Sequence, residues 1–140
     1  MEDKLILKEK TFNSSQYLPE TFGKCHNQHG HTYTIRNLRV TTKKCVDFSL
    51  IKKVIDQLDH LIIIPEQDYE FWYAMAAYAK AWCKQNNKVL PCEFKVYTIP
   101  YDMVTVENLR RHIVTMLMNI DGVKKVTFEL YETPNNGTEV

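Results

Sequence analysis

Two histidines one residue apart, His29-Gly30-His31, are the sharpest chemical feature of this 140-residue chain. In an extended segment residues i and i+2 point to the same side. Two imidazoles placed that way can grip one cation, and the Gly between them lets the backbone approach closely. Imidazole is a favoured zinc ligand, and a catalytic zinc has three protein ligands and one open position. Read alone, the pair also describes a polar patch at the start of a strand. Cys25 lies four residues earlier, in a polar loop of Gly, His and Asn. A thiolate is a strong nucleophile and a competent base, although most single cysteines are buried and inert. Asp59-His60 offers a carboxylate next to an imidazole, a pairing that makes a general base; it equally describes a helix end where His60 complements the dipole. Glu132 shares parity with Val126, Phe128 and Leu130, and a carboxylate on an apolar strand face needs a partner or a ligand unless the strand frays into water there. Thr105-Val106-Glu107-Asn108 reads as a helix start, which capping alone would explain.

The elements that must position these groups are legible in outline. Residues 4–11 form a first strand that Asn13-Ser14-Ser15 should break into a loop. Residues 29–40 resume as a strand rich in Thr, Tyr, Ile and Val, with Lys43-Lys44 as its turn. Phe48, Ile51, Val54, Ile55 and Leu58 have helical spacing behind an N-cap at Asp47 or Ser49. A second helix over residues 69–84 carries Trp72, Met75, Ala76, Ala79 and Trp82 or Cys83 on one stripe. Residues 94–99 are a further strand, stopped by Pro100. Thr105 caps a helix through Leu109, Ile113, Met116 and Leu117, which Gly122 ends. Val126, Phe128 and Leu130 alternate with polar neighbours in a last, half-buried strand. The tail from Pro134 to Gly137 reads as loop. The sum is a single α+β domain over residues 1–140, a sheet covered by helices.

Composition narrows the function classes. Hydrophobic residues make up 44% and charged residues 25% of the chain, the balance of a soluble globular domain. A formal net charge of +1 gives no electrostatic case for nucleic acid. The longest apolar run, Leu61-Ile62-Ile63-Ile64, is too short for a bilayer, and the N-terminus lacks a signal-peptide pattern. A cytoplasmic protein without membrane or nucleic-acid partners is the expectation. The four cysteines contain no Cys-x-x-Cys pair and are expected as thiols.

Taken together and in order, Phe12-Asn13-Ser14-Ser15-Gln16, Cys25 with His29-Gly30-His31, Asp47-Phe48, Leu58-Asp59-His60, Thr105-Val106-Glu107-Asn108 and Glu132-Thr133 resemble the 6-pyruvoyl- and 6-carboxy-tetrahydropterin synthase family. The resemblance runs from about residue 12 to residue 133. It implies the tunnelling fold, an antiparallel four-stranded sheet with helices on one face, here with a helix-and-strand insertion around residues 65–100. It implies His29 and His31 as zinc ligands, Cys25 as catalytic base with Asp59 and His60 in proton relay, and Glu132 gripping the guanidine-like edge of a pterin. Thr105 and Glu107 would help line the pocket. The implied substrate is 7,8-dihydroneopterin triphosphate, a pterin triphosphate small molecule, and the implied reaction expels triphosphate. The implied assembly is a homo-oligomer, a trimer or hexamer, with sites between subunits. The short Cys25-to-His29 spacing resembles the 6-carboxy type.

The long stretch from Pro65 to Pro100 is one departure from the family pattern, and two more stand out. Gln16 occupies the position of the family's first zinc histidine, and an amide oxygen is a poor zinc donor beside imidazole. Gln16 ligates weakly, His26 or a water takes its place, or zinc is not held. Val104 stands where a Pro usually precedes the Thr. The alternative to an active synthase is a non-catalytic pterin- or purine-binding protein of the same fold.

Overall fold

The computed structural model describes residues 2–139. Strands β1 (Asp3–Gln16) and β2 (His29–Thr42) form a long antiparallel pair and are followed by α1 (Phe48–Asp56). Next come β3 (Leu61–Pro65), α2 (Tyr69–Gln85), β4 (Val96–Ile99), α3 (Val106–Met118), β5 (Val123–Tyr131) and β6 (Gly137–Glu139). The α+β architecture is the expected one, but the described residues build one six-stranded sheet, ordered β4-β3-β1-β2-β5-β6, where four strands were expected.

The extra strands have clear causes. Leu61-Ile62-Ile63-Ile64 is too short to be a helix and too apolar to be a loop. It pairs parallel to β1 beside Ser14 and Ser15, with Ile63 and Ile64 fully buried. Strand β4 then pairs parallel to β3, Ile62 with Val96 through Pro65 with Ile99. A parallel neighbour requires a crossover of a dozen or more residues, and α2 supplies it. Asn13-Ser14-Ser15 does not break β1, because β2 on one side and β3 on the other pair its backbone there. The tail turns back at Asn136, whose carbonyl accepts from the Glu132 N–H, and Gly137 begins an edge strand instead of a loop.

Helices α1 and α3 cover one sheet face. Ile51 and Ile55 from α1 and Leu109, Ile113 and Leu117 from α3 pack on Phe12, Tyr33, Ile35, Val126, Phe128 and Leu130. Burying such side chains is worth about 1.5–3 kcal/mol each before ordering costs. Inward alternation in β2 changes parity between Ile35 and Leu38. Asn37 absorbs the change with φ of 54°, at a register irregularity against β5; Asn tolerates this left-handed region better than most residues. Thr11, Asn13, Thr32 and Arg39 stand exposed on the opposite face.

In α2 the expected stripe is only partly inward. Cys83 is buried and Trp72, Ala76 and Ala79 are half-buried, whereas Met75 and Trp82 are exposed, as are Tyr73 and Tyr78. No helix among the described residues is long and apolar enough to cross a membrane.

Both paired helix starts are capped as their sequences suggest. Asp47 accepts from the Ser49 N–H at 2.8 Å, and Thr105 Oγ1 accepts from the Asn108 N–H at 3.1 Å. Loss of such a cap costs about 1 kcal/mol. Asp47→Ala is therefore expected to lower unfolding stability by about that amount. The measurement is chemical denaturation, with Lys52→Ala on the same helix as the neutral comparison.

Candidate functional site

The register of the β1–β2 ladder builds the first part of the site. Gln16 pairs with His29, Ser14 with His31 and Phe12 with Tyr33. Paired residues on one face of an antiparallel ladder have Cβ atoms about 4.5–5.5 Å apart. The two imidazoles meet edge to face with centroids 4.9 Å apart, and His31 lies 5.6 Å from the Tyr33 ring. Tyr33 in turn stacks on Phe12 at 5.1 Å. A polar cluster thus continues the hydrophobic core along the same sheet face, just where β1 ends and β2 begins.

Glu132 comes to the same end of the sheet by topology. Strand β5 runs antiparallel to β2 with Tyr131 opposite Thr34, so Glu132 follows at the level of Tyr33. Its carboxylate is close enough to act on the phenol: burial first, and Glu132 second, hold the Tyr33 hydroxyl well above its ordinary pKa. Tyr33 is therefore a neutral O–H donor. Helix α3 begins after the end of β4, which lies beside the end of β3, and Thr105 and Glu107 stand at its start. Thr105 spends its hydroxyl on the cap, while Glu107 is exposed.

Cys25 sits in a short 3-10 segment, Glu20–His26, within the loop joining β1 to β2. The loop is closed by the Leu18 N–H donating to the Cys25 carbonyl at 2.8 Å. The thiol is exposed. His26 Nδ1 lies 2.9 Å from the Leu18 carbonyl and is engaged inside this loop.

Asp59 and His60 occupy a different place. The Asn13 N–H donates to one Asp59 oxygen at 2.8 Å, and His60 Nδ1 lies 2.8 Å from the other. The His60 N–H donates to the Asn13 carbonyl at 2.6 Å. These bonds hold the Asp59 carboxyl below its usual pKa, the Asn13 N–H contributing most and His60 next. The His60 backbone is left-handed, with φ of 60°. Its exposed ring borders a cavity of about 440 Å³ together with Asn13, Ser15, Gly30, His31 and Thr32. Asn13 is three residues from Gln16, about 10 Å along an extended strand. The side chains of Asn13, Ser15 and Thr32 alternate away from the face that carries Gln16 and His29. His60 thus meets the cavity from the edge of β1, where His31 also lines it and Gln16 and His29 do not.

The donor set can be tested against a metal. His29 fits: its Nδ1 lies 2.7 Å from the Asn27 carbonyl, an arrangement that leaves Nε2 free and is common behind metal-bound histidines. The third position does not fit. Gln16 is only 2% exposed, and its Oε1 accepts the Tyr33 hydroxyl. Among the described residues no group of three or more His, Cys, Asp or Glu side chains is placed to hold a metal ion. The described residues of one chain do not build a three-ligand catalytic zinc site from these side chains.

Tyr33 and Asn13 touch the candidate groups in ways that the spacing of chemical groups did not reveal. A signal for Tyr33 existed in its parity with His29 and His31. None existed for Asn13, whose role is played by its backbone.

The Asp59 hydrogen bonds have a sign in acid. Because its folded pKa is depressed, the group stabilises the fold above the unfolded value near 3.9, and this is lost as pH falls through the folded value. Asp59→Asn should flatten the acid limb of a stability–pH profile between pH 5 and pH 2, read from urea midpoints. A limb as steep as in the unaltered protein would contradict the hydrogen-bonded carboxylate.

Comparison with known proteins places this geometry. The family model for 6-pyruvoyl tetrahydropterin synthase matches residues 5–140. The chain is 30% identical over 147 aligned positions to the 6-carboxy-5,6,7,8-tetrahydropterin synthase of Haemophilus influenzae, covering 96% of each protein. Among solved structures, the Plasmodium vivax 6-pyruvoyl tetrahydropterin synthase superposes with a TM-score of 0.63 at 20% identity, covering 100% of this chain and 97% of that one. An uncharacterized protein of Wolinella succinogenes matches with a TM-score of 0.63 at 20% identity, covering 100% of this chain and 98% of that one. The two structures share the fold, and the sequence matches carry the kinship. The chain belongs to the 6-pyruvoyl tetrahydropterin synthase family of pterin-processing enzymes.

Proposed function

We propose that the chain acts on 7,8-dihydroneopterin triphosphate as a tetrahydropterin synthase of the 6-carboxy or 6-pyruvoyl type, with elimination of triphosphate. The observation that carries this reading is Glu132, which follows β5 beside Tyr33, on the sheet face that bears His29 and His31. A carboxylate there can accept two parallel N–H bonds from the guanidine-like edge of a pterin, the geometry that gives such pairs their strength and specificity. The substrate side chain would then extend along the face toward His29 and His31.

Cys25 is the base in this reading. Its thiolate takes the proton from the hydroxyl-bearing carbon next to the carbon that carries triphosphate. The electron pair left behind forms a carbon–carbon double bond as the bond from carbon to the triphosphate oxygen breaks. The enol so formed collapses to a carbonyl by moving its hydroxyl proton. Asp59, by orienting His60, makes an imidazole available for that transfer. The separation of Asp59-His60 from Gln16 and His29 within one chain favours a homo-oligomer in which a second copy brings its own pair to the pocket. Thr105 and Glu107, at the start of α3, belong to the pocket wall.

A second reading, a pterin-binding protein without turnover, is favoured by the Gln16 amide at the position of a metal-ligating histidine. Triphosphate release measured with and without added Zn²⁺ separates the two.

Glu132→Gln is expected to weaken pterin binding by about tenfold or more, as loss of a charge-assisted bidentate contact does, with an unchanged unfolding midpoint. Binding measured by pterin fluorescence that stays within twofold of the unaltered protein would remove Glu132 from the site. Cys25→Ala should leave pterin binding in place and abolish release of triphosphate; turnover at the original rate would remove Cys25 as the base.

A further inference from the structure

We infer that Tyr33 is a positioning residue that decides what Gln16 presents to the histidine pair. The Tyr33 hydroxyl donates to Gln16 Oε1 and thereby turns the amide so that its nitrogen, not its oxygen, is available on the face shared with His29 and His31.

Four observations support this. Tyr33 is fully buried and held between Phe12 and His31, so its hydroxyl has little freedom to choose another partner. The hydroxyl reaches Gln16 Oε1 across the ladder, four residues along β1 from Tyr33's own pairing partner Phe12. Gln16 Nε2 has no hydrogen-bond partner among the described residues and is not among the buried polar atoms cut off from solvent. Gln16 pairs directly with His29, so whatever the amide offers is offered beside that imidazole.

The chemical consequence follows from the amide's two ends. The oxygen is an acceptor and a cation ligand; the NH₂ is a donor with no lone pair to give. With its oxygen engaged by Tyr33, Gln16 adds a hydrogen-bond donor where a third metal ligand would stand. A donor at that position recognises an oxygen acceptor directly, and the oxygen-bearing side chain of the pterin substrate is the chemical class that fits. The ligand class rests on the pterin reading above, whereas the orientation of Gln16 does not.

Zinc affinity measured without any pterin tests the orientation. Tyr33→Phe keeps the buried ring and frees the amide oxygen to turn toward the cation as a further donor; it should tighten Zn²⁺ binding by about tenfold, the equivalent of about 1.4 kcal/mol. Gln16→His should tighten it at least as much, and Co²⁺ added to that variant should show the absorption of a site with an additional nitrogen donor. Gln16→Ala should leave Zn²⁺ affinity within about twofold of the unaltered protein, because an outward NH₂ contributes nothing to the metal. A tenfold loss of Zn²⁺ affinity in Gln16→Ala would show that Gln16 already ligates and would overturn the inference, even if Tyr33→Phe failed to fold. So would a Tyr33→Phe protein that folds and binds Zn²⁺ no more tightly.

The donor role is read separately. Gln16→Ala should weaken neopterin, with its hydroxylated side chain, by about three- to tenfold, the worth of one hydrogen bond, and leave unsubstituted pterin unchanged. Equal affinities for neopterin in the two proteins would overturn the donor role. If neither protein binds any pterin, the functional reading fails while the zinc results still judge the orientation of Gln16.

Discussion

The pairing register of β1 against β2 is the constraint on which the rest of the site depends. One register sets Phe12 against Tyr33, Ser14 against His31 and Gln16 against His29. A slip by one residue would turn every side chain of one strand to the other face. It would take Phe12 out of the core and Gln16 away from His29 together. Burial of Phe12, Tyr33 and Ile35 under α1 and α3 therefore does more than stabilise the sheet. It holds the polar end of the same ladder in place.

The sheet also divides the chemistry. Gln16, His29, His31 and Tyr33 continue the helix-covered face, with Glu132 at the level of Tyr33 on the neighbouring strand. Asp59 and His60 are anchored to the backbone of Asn13 on the far edge of β1, where β3 begins. Their position is set by the parallel β1–β3 pairing, which starts at Ser14 and Leu61. The segment that carries α2 and β4 is tied to the end of β1. The Tyr17 hydroxyl donates to Asp68 at 2.7 Å and accepts from the Trp72 indole N–H at 2.9 Å. The same short stretch at the end of β1 thus organises the imidazole cluster, the acid–imidazole pair and the start of α2.

Membership of a family leaves the identity of individual site residues open. Gln16 shows why. Its position in the ladder is beside His29, but its hydrogen-bonding partner decides which end of the amide is useful. A polar side chain that is almost fully buried is defined by the partner that satisfies it, since leaving the group unpaired costs about 1–3 kcal/mol.

How much was legible in the residues themselves follows from the range of the forces involved. The strand-forming run of β2, the alternation in β5, the helical spacing behind Asp47 and behind Thr105, and the two caps are local properties, and they are found as read. The His29/His31 pair is local too, because i and i+2 share a face of any strand. The placement of Asn13-Ser14-Ser15 was misread because polar strand residues look like a loop until neighbours on both sides claim their hydrogen bonds. The six-stranded sheet, with β3 and β4 parallel to β1, depended on the crossover through α2, a long-range pairing that no short window contains. By itself the sequence determined which groups could do chemistry and which faces their strands would show. Only the tertiary structure decided that Tyr33 takes the oxygen of Gln16 and that Asp59-His60 settles on Asn13, because both bonds join residues made neighbours by sheet pairing and burial, not by spacing along the chain.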